Sequence, residues 1–467
     1  MSATNPETQL RVPTPKPSPA PPRDYRFPRF YRRTLSNGMQ LLVAPVPKLP
    51  LVTVLAIVEA GASVEPHRQH GVAALTVRLL LEGGAAGMDG AALADRFERI
   101  GASVDACADW DVATVSLTVL SERLPDALAL ARDLLRWPAF SEREVQRLKE
   151  QRLADLLQQL AEPRGLADEQ FAQIAYAAAA RYAAPEEGDA ASVRALNRAD
   201  VQAFYAARYQ PSGTTLIFAG DVTMDAASAL VETLFGDWRG VRPAPAPNGI
   251  DAAQTGRLVR VVAKAAAPQS ELRVGHVGLP RASADYFDVT VMNAVLGGLF
   301  SSRINLNLRE AHGYTYGASS TFDWRRGAGP FVVQTAVKSD VTGAAVQEIL
   351  NEIERMRVAP ISQDELTLAT SYLDGVFPIR YETTAAIAGA LENLVRHGLP
   401  DDYYDAYRSK VRAVTTDGVF RAAQRHLHPE QLRIVVVGDP NTVAAPVAAV
   451  TGMTPQIVAG DGGEVAA

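Results

Sequence analysis

The pattern of apolar residues predicts equivalent β-strands in the two halves of the chain. Residues 52–61 read VTVLAIVEAG, and residues 270–279 read SELRVGHVGL. Both stretches are rich in aliphatic and β-branched residues, and each ends at a glycine or shortly after one, as strands commonly do. Later in each half, a helical apolar run ends in a glycine pair, LLLEGG in the first and NAVLGG in the second. The order of elements is therefore the same in both halves.

The end of each half repeats most clearly. The first half ends in FYAARYQPSGTTLIFAGD and the second in FRAAQRHLHPEQLRIVVVGD. Each block predicts an amphipathic helix, a turn marked by proline, an apolar strand and a final Gly-Asp. Pro211 and Pro429 are 218 residues apart, and so are Asp221 and Asp439. This constant spacing indicates an internal duplication of one α+β domain.

The chain is too long for one hydrophobic core, and low-complexity segments suggest where it divides. The segment VRPAPAPNGIDAAQTG is rich in Pro, Ala and Gly, which is typical of a linker. We therefore predict a proline-rich extended tail, a first domain, a linker, a second domain and a C-terminal tail, with the bounds 1–30, 31–240, 241–256, 257–445 and 446–467.

Composition narrows the possible partners and locations. The net charge of −6 gives no electrostatic reason to expect a nucleic-acid partner, and no apolar run is long enough to span a membrane. The single cysteine, Cys107, excludes an intramolecular disulfide, and we expect it to be buried. The N-terminal stretch lacks the apolar core of an export signal, which favours the cytoplasm. A chain whose signal had been removed would look similar and would be periplasmic.

Three longer motifs carry a specific resemblance. They are GASVEPHRQHGVAAL at residues 61–75, FYAARYQP at 204–211, and LGGLFSSRINLNLREAHGYTYGASS at 296–320. Together the motifs resemble the pitrilysin, insulinase and mitochondrial processing peptidase family of zinc metallopeptidases, over nearly everything from residue 32 to 439. The resemblance implies an α+β fold in which two homologous α/β-sandwich domains form a clam-shell. Catalytic members of that family carry H-x-x-E-H on a helix of the first domain and a further Glu downstream.

This chain departs from the zinc motif at every position. Two His at i and i+4 share one helical face and can hold a zinc ion, while the Glu between them activates water. Aligned on Gly71, the ligand positions are Ala74 and Arg78 and the base position is Val77. The downstream Glu should fall at Ala154 or Asp155. None of the seven histidines forms an i, i+4 pair, so we predict no metal in this chain.

The second half keeps another part of the family pattern. LREAHGYTYG retains an Arg and a Tyr seven residues apart, Arg309 and Tyr316. In the family these side chains come from the second half and are thought to bind the substrate carbonyl and backbone. We expect a helix that ends near His312 and is stopped by Gly313, followed by a strand from about Tyr314. Without the surrounding motif, a surface ion pair for Arg309 and a core position for Tyr316 would be the preferred explanation; with the motif, the functional role is favoured.

Loss of the zinc ligands together with retention of Arg309 and Tyr316 predicts a subunit that completes the active site of another chain. The expected partner is a homologous subunit that carries H-x-x-E-H and binds zinc, and the expected substrates are unfolded peptides bound in extended form against a sheet edge. No cofactor is expected in this chain itself. The alternative is a catalytically inert structural or peptide-binding subunit, similar to the core proteins of respiratory complexes.

Overall fold

The computed structural model describes residues 24–241, 244 and 256–460, and two six-stranded sheets form its framework. The first half contains β1 (Tyr31–Thr34), β2 (Gln40–Pro45), β3 (Leu51–Val58), β4 (Ser103–Ala108), β5 (Ala113–Leu120) and β6 (Thr214–Gly220). Its helices are α1 (Val72–Glu82), α2 (Gly90–Arg99), α3 (Leu124–Arg136), α4 (Glu142–Ala161), α5 (Pro163–Ala175), α6 (Ala190–Ala195), α7 (Arg198–Arg208) and α8 (Met224–Phe235).

The second half repeats this set of elements. Its strands are β7 (Leu258–Ala263), β8 (Gln269–Val277), β9 (Ala318–Phe322), β10 (Pro330–Lys338), β11 (Arg433–Gly438) and β12 (Gln456–Val458). Its helices are α9 (Tyr286–Asn293), α10 (Arg303–Asn305), α11 (Thr342–Val358), α12 (Gln363–Arg380), α13 (Thr384–His397), α14 (Tyr403–Arg412), α15 (Thr416–His426) and α16 (Pro440–Thr451). Wider π-helical turns, Ala294–Gly298 and Leu306–Ala311, continue α9 and α10. Within the described ranges, no helix combines the length and the apolarity needed to cross a membrane.

The sheet topology confirms the predicted duplication. The strand orders are β1-β2-β6-β3-β5-β4 and β12-β7-β11-β8-β10-β9. In both sheets the second and third strands run parallel, and the remaining inner pairs are antiparallel. The two sheets differ only at one edge, where β1 is antiparallel to β2 but β12 is parallel to β7. The edge strand comes from the start of the first domain and from the end of the second.

Each sheet buries its second face against a helix from the other half. The central strands β6 and β11 are buried along their whole length, so both faces of each sheet need a cover. Helix α13 packs on the first sheet, where its Thr384 hydroxyl lies 2.9 Å from that of Thr53. Helix α5 packs on the second sheet, where Phe171 joins Val435 and Val437 in one buried cluster. This reciprocal exchange joins the two similar domains into one packed unit.

The structure corrects the predicted domain bounds near both ends of the chain. Residues 24–30 are not a free tail, because Phe27 is buried and its ring stacks on Tyr404 with 4.6 Å between centroids. The predicted tail from residue 446 was also wrong as far as residue 458, since α16 and β12 continue through it. Most of the predicted linker, and the first 23 residues, lie outside the described residues.

Candidate functional site

The helix that would carry a zinc motif is α1, and a buried carboxylate holds its first turn. The backbone N–H groups of Gly71 and Ala73 donate to Glu65 at 3.0 and 2.9 Å, which caps the helix. Gly71 has φ +92, and a Cβ there would come within 2.5 Å of the Glu187 carbonyl oxygen. Arg181 pairs with Glu65 at 2.7 Å. Burial raises the pKa of Glu65 to about 7, while Arg181 and the backbone N–H groups oppose that rise.

The three positions of the degenerate motif offer no metal ligand. Val77 is 1% exposed and packs in the core, whereas Ala74 and Arg78 are partly exposed. The Arg78 guanidinium lies 3.3 Å from Glu82, one turn along α1. Glu82 also accepts from Arg147 of α4 at 2.9 Å. A methyl group, an isopropyl group and an ion-paired guanidinium do not fit zinc binding.

The facing helix also supplies no ligand. A shallow depression beside Ala74 and Arg78 is lined on α4 by Leu148, Lys149 and Arg152. Arg152 pairs with Glu187 at 3.0 Å. The predicted downstream positions, Ala154 and Asp155, are exposed and do not line the depression, whereas Arg152, two residues before Ala154, does. Across the part of the chain that the structure describes, no three His, Cys, Asp or Glu side chains are grouped as metal ligands would be.

Arg309 lies in the π-helical turn that follows α10, and its guanidinium has weak support from its own chain. Glu310 is 3.6 Å away, beyond hydrogen-bond distance, and the Arg309 Nη1 atom is buried without a hydrogen-bond partner. The guanidinium lies over the ring of Phe300, 4.5 Å from its centroid. Phe300 is itself 71% exposed. Phe300 had no predicted role, although a large aromatic residue directly after Gly-Gly-Leu is a visible signal in the sequence.

Tyr316 lies in the loop between this turn and β9. Its side chain is 92% exposed, so the expectation of a core tyrosine does not hold. The predicted strand start near Tyr314 was wrong, because β9 begins at Ala318. The stop at Gly313 agrees with the structure, where this glycine has φ +62 after the last helical turn.

The backbone on both sides of Tyr316 is fixed by hydrogen bonds. The Thr315 hydroxyl accepts from the N–H of Gly317 at 3.0 Å, and Thr335 of β10 lies 3.0 Å from the Thr315 hydroxyl. Buried Asn305 donates to the Phe300 carbonyl oxygen at 2.6 Å and accepts from the Ala318 N–H at 3.0 Å. The loop is therefore held at both ends while the phenol remains in solvent.

An ion pair secures the start of the Arg309 turn. Arg303 of α10 donates to both oxygens of Glu365, at 2.6 and 2.8 Å. Glu365 also belongs to the capping box of α12, since its carboxylate accepts from the Ser362 N–H at 2.8 Å. The hydrogen bonds from Arg303 are the main reason why the pKa of Glu365 falls to about 2.

Cys107 corrects one further expectation, because it is exposed. It lies on β4, which pairs only with β5 and forms one edge of the first sheet. Partial burial of the sulfur and the carboxylates of Asp105 and Glu392 raise the pKa of its thiol to about 11. The alternation in SVDACAD was a visible signal for this exposure, because Cys107 falls on the same face of the strand as Ser103 and Asp105.

The fold and the two sites together define a class of protein. The chain is a duplicated α+β protein that has the framework of a metallopeptidase but lacks its metal ligands. It matches the family profile described as insulinase (peptidase family M16) over residues 45–183, and the profile described as peptidase M16 inactive domain over residues 195–373. These profiles cover most of the chain, which belongs to the peptidase M16 family.

Individual relatives support this assignment. The crystal structure of a peptidase M16 inactive domain from Pseudomonas fluorescens is 26% identical, covers 88% of this chain and 98% of its own, and has a TM-score of 0.82. An uncharacterised zinc protease of Mycobacterium bovis is 24% identical over 432 residues, which are 91% of this chain and 96% of that protein. A Helicobacter pylori protein named non-peptidase homolog YmxG is 23% identical over 408 residues, 84% of this chain and 90% of that protein.

Proposed function

We propose that this chain is the metal-free subunit of a two-chain zinc peptidase and that it supplies Arg309 and Tyr316 to the shared active site. The observation that carries the proposal is the exposure of Tyr316 and the weak pairing of Arg309. A phenol that is 92% exposed stands on a fixed backbone, and the nearby guanidinium has only a distant carboxylate at 3.6 Å. Polar groups held in this way are available to a ligand or to a partner chain.

The chemistry of the pair suits the stabilisation of an oxyanion. When a peptide carbonyl becomes tetrahedral, negative charge develops on its oxygen, and preorganised donors stabilise that charge. The Arg309 guanidinium is a planar cationic donor, and its contact with the Phe300 ring restricts its orientation. The Tyr316 hydroxyl can donate a hydrogen bond without losing its proton. Zinc and the base that activates water would belong to the partner.

An edge strand offers a place for an extended substrate. β4 pairs with β5 on one side only, and its side chains alternate between exposed and half-buried. A peptide that added to this edge would gain main-chain hydrogen bonds with little demand on its sequence. We therefore expect unfolded peptides as substrates. The cytoplasmic location favoured by the N-terminal sequence stays a prediction.

The second candidate is an inert structural or peptide-binding subunit. The match to a profile described as an inactive domain favours it, and so does the printed name of the Helicobacter pylori relative. Both candidates place this chain beside a partner, but they differ in whether Arg309 and Tyr316 contribute to turnover.

Peptide hydrolysis and zinc content separate the candidates. We would measure both for this chain alone, for a homologous chain that carries H-x-x-E-H alone, and for their mixture. Activity should require the zinc-containing mixture and should fall at least about tenfold with Arg309→Ala or Tyr316→Phe. A mixture that forms a stable complex and is no more active than the zinc-binding chain would favour the inert subunit. Zinc-dependent activity from this chain alone would exclude both candidates.

A further inference from the structure

A large cavity lies between the two halves, away from Arg309 and Tyr316. Its volume is about 710 Å³, which is in the usual range for pockets that hold small molecules. Both halves contribute aromatic rings to its lining, Trp110, Tyr176 and Tyr182 from the first half and Tyr286, Trp324 and Tyr403 from the second. The exchange of α5 and α13 creates this space, because residues from both helices line it.

The charged groups in the cavity wall have an excess of arginine. Arg281, Arg325, Arg380 and Arg396 face only two carboxylates, Asp168 and Asp323. Asp168 is paired outside the set, with Arg273 at 2.5 Å, and Arg396 is likewise paired outside it, with Asp109 at 2.6 Å and Glu392 at 2.5 Å. With Arg325 paired to Asp323, the excess consists of Arg281 and Arg380. Arg281 is 8% exposed, donates to the Tyr403 hydroxyl and lies 3.5 Å from the Tyr286 ring centroid. Among the described residues, no carboxylate lies within ion-pair distance of Arg281.

Two buried nitrogen atoms at the cavity have no partner. Arg325 is 8% exposed, and its Nε and Nη2 atoms pair with Asp323 while Nη1 makes no hydrogen bond. Its guanidinium lies over Trp110 at 4.3 Å and over Tyr182 at 4.5 Å. Nδ1 of His397 is also buried and unpaired. A buried donor without an acceptor is costly and suggests that a ligand supplies one.

The lowered pKa of His397 agrees with an unbalanced positive charge in the cavity wall. Burial is the main cause that lowers the pKa of His397 to about 3, and the guanidiniums of Arg281, Arg396 and Arg326 contribute to the same shift. The imidazole is therefore neutral at neutral pH. An anion in the cavity would reduce the repulsion among these cations.

We propose that this cavity binds a small aromatic carboxylate, with its carboxylate at Arg281 and the free Nη1 of Arg325 and its ring among the Trp and Tyr side chains. A planar guanidinium pairs well with a carboxylate, and a cavity lined by aromatic rings favours an apolar planar body over a fully hydrated ion. Both donors belong to the second half, where the Arg281 N–H donates to the Arg325 carbonyl oxygen at 2.9 Å, and the Trp110 and Tyr182 rings of the first half would hold the ligand's ring across the junction of the halves. Binding would thereby tie the two domains together.

Calorimetric titration of the full chain with indole-3-propionate tests the proposal, and indole-3-propionamide serves as the neutral control. The amide should bind at least about tenfold more weakly, because it loses the charge-assisted hydrogen bonds. Arg325→Gln should weaken carboxylate binding to a similar degree. Arg136→Gln is the matched control, since Arg136 also pairs with an Asp, at 2.6 Å, and lies 4.6 Å over a Trp ring far from the cavity. It should leave binding unchanged.

Three outcomes would overturn the proposal. They are no binding of the carboxylate at millimolar concentration, equal affinity for the amide, or equal weakening by Arg136→Gln. Inorganic phosphate that binds as tightly as the carboxylate would refute the aromatic part. If Arg325→Gln does not fold, Arg380→Gln changes an exposed residue of the same wall and should still weaken binding measurably. The titration uses this chain alone, so its result is independent of the proposed peptidase function.

Discussion

Two arginines, Arg78 in the first half and Arg309 in the second, have opposite electrostatic environments. Arg78 of α1 stands where a zinc ligand would be, and its charge is met by Glu82, which in turn is held by Arg147. Arg309 has one carboxylate at 3.6 Å and an exposed aromatic ring beneath it. A guanidinium whose charge is neutralised within the fold contributes to structure. One that is held in position but not neutralised remains available for a ligand.

The ion pairs that hold the two sites in place also differ, because one is more deeply buried than the other. Glu65 and Arg181 hold the start of α1 as a buried ion pair, with 0% and 11% of their side chains exposed. Arg303 and Glu365 hold the start of the Arg309 turn closer to solvent, with 10% and 30% exposed. The first support therefore matters mainly for folding. The second also positions the partly exposed side chain of Arg309.

The largest expected effect is on stability at the first site. Arg181→Met should lower the free energy of unfolding by about 3–5 kcal/mol, because it removes the counter-charge of buried Glu65 together with the hydrogen bonds from Arg181 to three backbone carbonyl oxygens, those of residues 184, 185 and 186. Urea unfolding at pH 7 measures the change. Arg99→Met, which removes an exposed i, i+4 pair, is the control and should cost less than about 1 kcal/mol.

The pH dependence of the Arg181→Met effect follows from the sign of the Glu65 shift. The folded pKa of Glu65 is already raised, and loss of Arg181 raises it further. An acid with a raised folded pKa is favoured in its protonated form, so the destabilisation should be smaller at pH 5 than at pH 8. A loss that is the same at both pH values would show that Glu65 is not the group responsible.

The next effect is on turnover and separates the two arginines directly. In the active mixture, Arg309→Ala should lower kcat by about 10²–10³, as removal of a donor to an oxyanion typically does. Arg78→Ala should leave kcat unchanged, because Arg78 is paired with Glu82 and is not free to contact substrate. Thermal unfolding of both variants checks that neither effect arises from a loss of structure. Equal losses of kcat would remove the distinction between the two sites.

A smaller effect concerns the support of the Arg309 turn. Glu365→Gln should cost about 2 kcal/mol at pH 7, since the pKa of Glu365 is depressed to about 2 and the group is partly exposed. A depressed carboxyl pKa contributes stability above its unfolded value of 4.5, and that contribution is lost as the pH falls towards 2. The difference from wild type should therefore be less than half as large at pH 3. Urea unfolding between pH 7 and pH 3 measures it.

The repeated sequence blocks predicted the duplicated α+β fold because each block encodes a complete helix, turn and strand. Periodicity shows that a helix has an apolar face, but not which sheet that face covers. The exchange of α5 and α13 could not be predicted for this reason. The edge strand β12 was missed because only three residues, Gln456–Val458, form it, too few for a pattern.

At the sites, sequence spacing located Arg309 and Tyr316 but not their surroundings. The absence of ligands at Ala74 and Arg78 was visible in the sequence, whereas the pairing of Arg78 with Glu82 needed coordinates. The sequence of α4 did not show which of its residues face α1, because a single helix gives no landmark that fixes its rotation towards a neighbouring helix. Contacts between distant residues, such as Arg181 with Glu65, have no signal in one sequence.

The smallest expected effect concerns Cys107, which reports on the edge strand where we place the substrate. With a pKa of about 11, the thiol at pH 8 forms about a hundredfold less thiolate than one with a pKa near 9, and greater nucleophilicity offsets only part of this. Iodoacetamide should therefore alkylate Cys107 about tenfold more slowly than an unperturbed exposed thiol. Arg396→Gln should slow it further, because this guanidinium is the cation that lowers the thiol pKa.

The same alkylation sharpens the comparison of the two halves. Glu392 and Arg396 lie on α13 of the second half, yet they act on a thiol of the first sheet, so the rate depends on the helix exchange. An extended peptide paired with β4 would cover that edge and lower the rate in proportion to its occupancy. If a peptide that the mixture cleaves leaves the alkylation rate of Cys107 unchanged in that mixture, the substrate does not use β4. The role of Arg309 would then have to be tested with another binding mode.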